Sequence, residues 1–272
     1  MPKTLVALFF WGCALCAQGS EQLPLYDTHI HYNRDVWKEY PPVKALQILK
    51  DAGVAHALVS STPDDGTLEL YHADPQRIVA FLRPYRTQAD VRNWFNDPSI
   101  VPYLEERLKR DSYRGIGEFH LFAGHVATPV VKRIVTLAVE KELILHAHSD
   151  ETAIEELFSL NPKLKILWAH AGLTSAPETV EKLLERYPTL WVELSSRSDI
   201  APGRRLDARW RELFLLYPKR FMTGTDTWNA SRWSDLPLIA QATRQWLAEL
   251  PSDVAANIAY KNAEALLTQP RK

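Results

Sequence analysis

Cysteine is almost missing from this 272-residue chain: there are two, Cys13 and Cys16, both within the first twenty residues. If that segment is removed on export, what remains has no disulfide and no thiol nucleophile. A G-x-S-x-G elbow is missing as well, and the serine-rich Leu194-Ser195-Ser196-Arg197 stretch lacks the strand–elbow–helix setting of a serine nucleophile. No G-x-G-x-x-G loop supports an open dinucleotide-binding sheet. An excess of charge of one sign is lacking too. The 32 Lys and Arg stand against 33 Asp and Glu, so neither a nucleic-acid footprint nor a basic membrane patch is expected. Covalent serine and cysteine chemistry is thereby set aside, and any nucleophile has to come from elsewhere.

Long apolar runs are also absent; the one apolar run at the start is short. Lys3 precedes Leu5–Ala14, and Ala17-Gln18-Gly19 follows with the small residues of a signal-peptidase site. The run is too short to span a bilayer comfortably. Residues 1–19 are therefore expected to be a signal peptide, with an uncleaved anchor as the alternative. The residues before Cys13 and Cys16 suit lipid attachment poorly. The expectation is an exported protein, in a bacterial periplasm, with no stable membrane association after cleavage. Residues 20–272 then form one domain. The balanced charge neither requires nor excludes a homo-oligomer, and the partner expected is a small-molecule substrate. The nine Trp suit core packing or the lining of a ligand cleft.

What is present is a regular alternation. Apolar, β-branched runs predict strands at Leu25–His31, Ala55–Ser60, Ile78–Arg83, Gly115–His120, Leu143–His148, Lys165–His170, Leu190–Ser195 and Phe221–Asp226. Helical patterns follow most of them, at Val43–Asp51, Pro98–Arg110, Pro129–Lys141, Glu151–Leu160, Pro177–Tyr187 and Asp235–Leu250. Proline at or near several starts fits, since the first helical N–H has no partner to lose. The connection from Ser61 to Arg77 reads as a loop. Eight strand–helix units in about 250 residues predict an α/β fold, a single (β/α)8 TIM barrel.

The chemistry-bearing residues fall at one end of these strands. His29, His31, Glu118, His120, His146, His148, His170 and Asp226 all lie at or near C-terminal strand ends, which converge on the mouth of such a barrel. A strand repeats every two residues, so His29 with His31, Glu118 with His120, and His146 with His148 share a face. Ionisable side chains at the ends of apolar strands need a partner, and a metal is one. Imidazole and carboxylate donors suit zinc, and also manganese, iron or nickel. His56 and His72 lack this placement and read as structural. His125, in the loop after the fourth strand, is a candidate substrate contact.

The motifs resemble the amidohydrolase superfamily of metal-dependent hydrolases, over nearly all of the chain past its export segment. Asp27-Thr28-His29-Ile30-His31 is similar to that family's D-x-H-x-H, and Gly224-Thr225-Asp226 to its G-[ST]-D ending. Leu143–His148 and Lys165–Gly172 match its fifth and sixth strands, and Asn257–Leu267 its closing helix. The resemblance implies one or two divalent ions, held by His29, His31, His148, His170 and Asp226, with His146 one pleat deeper. In the fourth strand Glu118 stands where many two-metal relatives carry a modified lysine. It would bridge two metals, complete one site, or orient His120. The implied reaction is hydrolysis of a small ester, lactone or amide by a metal-activated water, with Asp226 as general base. His120 and Arg197 would steady the developing oxyanion or grip a substrate carboxylate, a surface salt bridge being the alternative for Arg197. Trp228, Arg232 and Trp233 would be specificity contacts. The competing expectations are a decarboxylase on the same barrel and a non-catalytic metal- or ligand-binding protein of the periplasm.

Overall fold

The computed structural model describes residues 22–110 and 113–267; the expected export segment, with both cysteines, lies outside them. Eight strands follow in order: β1 (Leu25–Ile30), β2 (Val54–Val59), β3 (Ile78–Leu82), β4 (Tyr113–His120), β5 (Ile144–His148), β6 (Lys165–Trp168), β7 (Leu190–Glu193) and β8 (Phe221–Met222). Each pairs in parallel with the next, from β1 to β8. The ring is closed between β8 and β1 by the segments that follow β8. The Thr28 N–H donates to the Thr223 carbonyl at 2.9 Å, and the His31 N–H to the Thr227 carbonyl at 2.7 Å. The architecture is a single (β/α)8 barrel.

The helices are α1 (Pro42–Asp51), α2 (Asp65–Ala73), α3 (Ile100–Arg107), α4 (Pro129–Glu140), α5 (Glu151–Leu160), α6 (Pro177–Arg186), α7 (Ala208–Leu216), α8 (Ala230–Leu247), α9 (Ser252–Ala256) and α10 (Asn262–Leu267). Proline stands in the first turn of α1, α4 and α6, as expected. The connection expected to be a loop contains α2. Its Gly and Thr are poor helix formers, but Gly66, Thr67, Leu68 and Leu70 are buried, and packing overrides propensity. Helix α8 begins five residues before the expected Asp235, because the Asn229 side chain caps it by accepting from the Arg232 N–H at 3.0 Å. No described helix is long and apolar enough to cross a membrane.

Two apolar cores result. The larger lies between the strands and the surrounding helices. The smaller fills the floor of the barrel with Tyr26, Leu58, Phe81, Ile144, Leu167 and Met222, closed from below by Ala263 and Leu267 of α10. Burying each of these aliphatic side chains is worth about 1.5–3 kcal/mol. The floor makes the barrel a packed body with one usable end.

Candidate metal centre and active site

One or two pleats above the floor the inward positions turn ionisable. Along β5 the inward series runs Ile144, His146, His148; on β1 it reaches His29 and, just past the strand, His31. His29 and His31 are buried, with their Nε2 atoms 3.1 Å apart.

Three imidazoles are held from behind. His29 Nδ1 is 2.8 Å from Glu193 Oε2, His31 Nδ1 is 2.5 Å from the Ser60 carbonyl, and His170 Nδ1 is 3.1 Å from the Ser195 carbonyl. Carbonyl and carboxylate oxygens only accept, so Nδ1 donates in each ring. In the neutral rings this leaves three Nε2 lone pairs turned the other way. They meet the Glu118 carboxylate: Oε1 is 3.5 Å from His29 Nε2 and 3.4 Å from His170 Nε2, and Oε2 is 3.2 Å from His31 Nε2. Asp226 Oδ1 lies 3.7 Å from both His29 and His31 Nε2.

Local backbone geometry delivers two of these groups. Strand β6 stops at Trp168, two residues short of the expected His170. The chain then turns through the left-handed region at His170 (φ 57°) and Ala171 (φ 47°), which swings His170 inward. Glu118 sits in a bulge, with Gly117 and Phe119 opposite consecutive residues His146 and Ala147, so it follows inward-placed Gly117 without alternating with it and shares the inner face with His120. Gly224 is required nearby. A Cβ there would lie 2.3 Å from Glu193 Oε1 and 2.9 Å from the His29 Cβ.

The neighbouring carboxylates favour positive charge on His29, whereas burial and the Arg83 guanidinium lower the pKa of His31. Burial pulls the His29 pKa down, but Glu118, Glu193 and Asp226 outweigh it and raise the value well above that of an ordinary histidine. Burial raises the Glu193 carboxyl, yet His29 and the neighbouring histidines bring it down to about 2. The donor groups His29–Glu118–His170 and His29–His31–Asp226 each keep their ligand atoms within 4.8 Å of one another. Imidazole nitrogens of fixed tautomer, backed by a carboxylate and carbonyls and mixed with carboxylate oxygens, fit a divalent cation. His146, one pleat deeper, adds a wholly buried ring whose two nitrogens have no hydrogen-bond partner among the described residues, 4.6 Å from the His29 ring. His148 lies at the mouth, its Nδ1 3.0 Å from Glu118 Oε1.

Above these residues opens a cavity of about 790 Å3 whose lining includes His31, Glu118, His120, His148, His170, Asp226 and, on its walls, Arg34, Arg83, Arg86 and Trp228. The Tyr85 hydroxyl accepts from the His120 backbone N–H at 2.7 Å and so can donate to His120 Nδ1 at 3.1 Å. That leaves His120 Nε2 with the proton. Burial pushes the His120 pKa down to about 3, so the ring is a neutral donor at physiological pH.

Several expected contacts are elsewhere. Arg197 is buried outside this cavity. It donates to the Ala171 carbonyl at 2.9 Å and the Ser175 carbonyl at 3.0 Å, pairs with Asp199 at 2.7 Å, and stacks over Trp210. Its donors fasten the His170 turn and are not directed at a ligand in the mouth. Arg232 binds the Thr225 carbonyl, and the buried Trp233 donates to the His31 carbonyl at 3.3 Å; only Trp228 of that trio lines the cavity. His125 stacks on Phe95, away from the lining. His56 binds the Gln76 carbonyl and His72 packs on Tyr71.

Sequence reasoning passed over Glu193, Ser60 and Arg83. Arg83 donates to the Glu118 carbonyl at 3.0 Å and to its carboxylate at 3.2 Å. All three stand at C-terminal strand ends, two residues beyond an inward position, which was the available signal. Asp27, quoted in the first motif without a role, ties the barrel seam by accepting from the Thr225 N–H at 3.0 Å and hydroxyl at 2.7 Å.

The amidohydrolase family model matches residues 26–268. The chain belongs to the amidohydrolase family. Its fold is similar to that of a proposed 2-pyrone-4,6-dicarboxylic acid hydrolase from Pseudomonas putida, at 17% identity and a TM-score of 0.62, covering 93% of this chain and 100% of that one. A proposed metal-dependent hydrolase from Lactobacillus casei matches at 12% identity and a TM-score of 0.57, covering 91% and 96%. A beta-aspartyl dipeptidase from Fervidobacterium islandicum matches at 18% identity and 0.59, covering 90% of this chain and 73% of that one. No curated protein matches the sequence significantly. As an amidohydrolase the protein is a metal-dependent hydrolase, and its His, Asp and Glu clusters suit a divalent metal.

Proposed function

We propose that this amidohydrolase cleaves a small ester, lactone or amide with water, using Asp226 as the general base. One observation carries the reading. Asp226 turns one carboxylate oxygen toward the Nε2 atoms of His29 and His31, at 3.7 Å from each, on the wall of a cavity large enough for a small molecule. A divalent cation, with zinc as the proposed ion, would be held by His29, His31, His170 and Asp226, with Glu118 and His148 adjoining. When bound it would supply Lewis acidity to water and to the substrate carbonyl.

The remaining steps belong to the chain. Asp226 accepts a proton from the attacking water as its oxygen bonds to the carbonyl carbon, then returns the proton to the alkoxide or amine as the C–O or C–N bond breaks. His120, neutral and protonated at Nε2, donates to the developing oxyanion. Glu193, Ser60 and Ser195 keep the imidazoles in the required tautomer. Export of the protein through residues 1–19, to a periplasm, is part of the same proposal.

The test is elemental analysis of the protein as purified after export, beside a His29→Ala/His31→Ala variant, followed by a screen. Lactones and amides head that screen, since a pyrone-dicarboxylic acid hydrolase and a dipeptidase are among the similar folds. One or two equivalents of metal, lost in the variant together with turnover, is the expected result. Carbon dioxide as the product, with no hydrolysed bond, would replace the reading with decarboxylation. No metal even after zinc or manganese is added would end it.

A further inference from the structure

Two residues beside the cavity adopt a backbone conformation that side chains disfavour. Ser196, on the segment after β7, has φ 59°, and Asp226, after β8, has φ 49°. For residues with a Cβ this left-handed region is costly, and it persists where the surroundings enforce it, often at working sites. The two side chains meet: the Ser196 hydroxyl donates to Asp226 Oδ2 at 3.1 Å. The other oxygen of the same carboxylate, Oδ1, is the one facing His29 and His31.

The residues around Ser196 already have other tasks. Ser195 bonds Glu193 and His170, and Arg197 fastens the Ala171 and Ser175 carbonyls. Ser196 itself is exposed, and its hydroxyl is directed at the half-buried Asp226 carboxylate. A carboxylate on a short side chain has one soft torsion, and with only one oxygen engaged it would rotate about it. A donor on Oδ2 stops that rotation.

Resting on the hydrolase reading above, we infer that Ser196 is a positioning residue: it locks Asp226 so that Oδ1 is presented to the metal and water side while Oδ2 is tied back. The strained Ser196 backbone is kept because it aims the hydroxyl. Glycine is at ease at this φ, so Ser196→Gly removes the hydroxyl and relieves the strain together. Asparagine also tolerates the left-handed region and carries an N–H donor, so Ser196→Asn is the conservative replacement. Threonine would be a poor choice, since a β-branched residue is an outlier there.

The experiment compares wild type, Ser196→Gly and Ser196→Asn, each also in an Asp226→Asn background. Readouts are kcat, KM, melting temperature and zinc affinity by competition with a chelator. Ser196→Gly should melt at the same or a higher temperature, yet lose about 10- to 100-fold in kcat with KM unchanged, the usual cost of removing an outer hydrogen-bond partner. Ser196→Asn should recover most of that loss. The Asp226→Asn background should abolish the effect, because the hydroxyl acts only through that carboxylate. Zinc affinity should weaken in Ser196→Gly when Asp226 is present. Wild-type kcat in Ser196→Gly, or an equal loss in the Asp226→Asn background, would overturn the inference. If no substrate turns over in the wild type, the hydrolase reading has failed. The zinc titration then decides alone, and equal zinc affinities in wild type and Ser196→Gly would sink the positioning role.

Discussion

The floor and the mouth of this barrel are built from the same strands, one or two pleats apart, and they solve opposite problems. At the floor Phe81, Ile144, Leu167 and Met222 pack as apolar side chains beside Tyr26, whose hydroxyl is buried there, and α10 seals them below. At the mouth the same strands offer His29, Arg83, Glu118 and His148, each needing a hydrogen bond or an ion to offset burial. Backbone strain divides the same way. Among the described non-glycine residues, positive φ occurs at His170, Ala171, Leu173, Ser196, Arg204 and Asp226, which follow β6, β7 or β8, and at Glu142, the exception, which precedes β5. The floor supplies stability that the mouth gives up, and the comparison predicts which variants lose folding and which lose only chemistry.

The largest effect belongs to the mouth. Asp226→Asn should keep the fold and still bind metal, though more weakly, and at saturating metal should lose about 10²–10⁴-fold in kcat, the range for removing a general base. Steady-state kinetics beside elemental analysis check this, and full activity in the variant would remove Asp226 from the mechanism. The floor should answer in the opposite currency. Leu167→Ala should cost about 2–5 kcal/mol of stability, read from urea unfolding, with kcat per folded molecule unchanged. A kcat that falls in step would mean that the two regions are mechanically coupled.

Next comes the boundary between them. Glu193 is wholly buried and bonds His29, His170 and Ser195 from behind the metal-facing side. Glu193→Gln keeps the volume and removes the charge behind the His29 ring. Metal affinity should fall about 10- to 100-fold, measured by chelator competition, while the melting temperature of the metal-free protein changes little. Unchanged affinity would make Glu193 part of the packed interior and move the boundary up a layer.

How legible each region was follows from its physics. The barrel could be read because floor and outer core impose periodicity: apolar runs of strand length alternate with amphipathic helices. The candidate ligand residues stood out in the sequence because histidine at a strand end is rare and costly. Residues acting through another residue could not. Glu193 is an ordinary glutamate in an apolar strand, and its meaning lies in a 2.8 Å contact with His29, 164 positions away. Arg197 misled for the converse reason. A strand-end arginine looks like a ligand clamp until its donors are seen to be taken by the Ala171 and Ser175 carbonyls. Helix α2 escaped because its stability is tertiary, resting on burial of Gly66, Leu68 and Leu70.

The smallest predicted effect tests how the mouth is braced. Hydrogen bonds from Arg197 hold the Asp199 carboxyl below the usual aspartate range. A carboxyl whose pKa is depressed in the folded state stabilises the protein above the unfolded value, near about 4, and that contribution fades as the pH falls below it. Asp199 is half exposed, so solvent screens the pair. Asp199→Asn should therefore cost under about 1 kcal/mol at pH 7 in urea unfolding, and the gap between variant and parent should close as the pH falls through the depressed folded value, below about 4. Arg197 keeps its two carbonyl partners in the variant, so the His170 turn should hold and kcat should stay near the parent value. A clear fall in kcat with little loss of stability would instead make the Asp199 charge part of what orients His170, and the strained mouth would then extend one residue pair further out than its hydrogen bonds indicate.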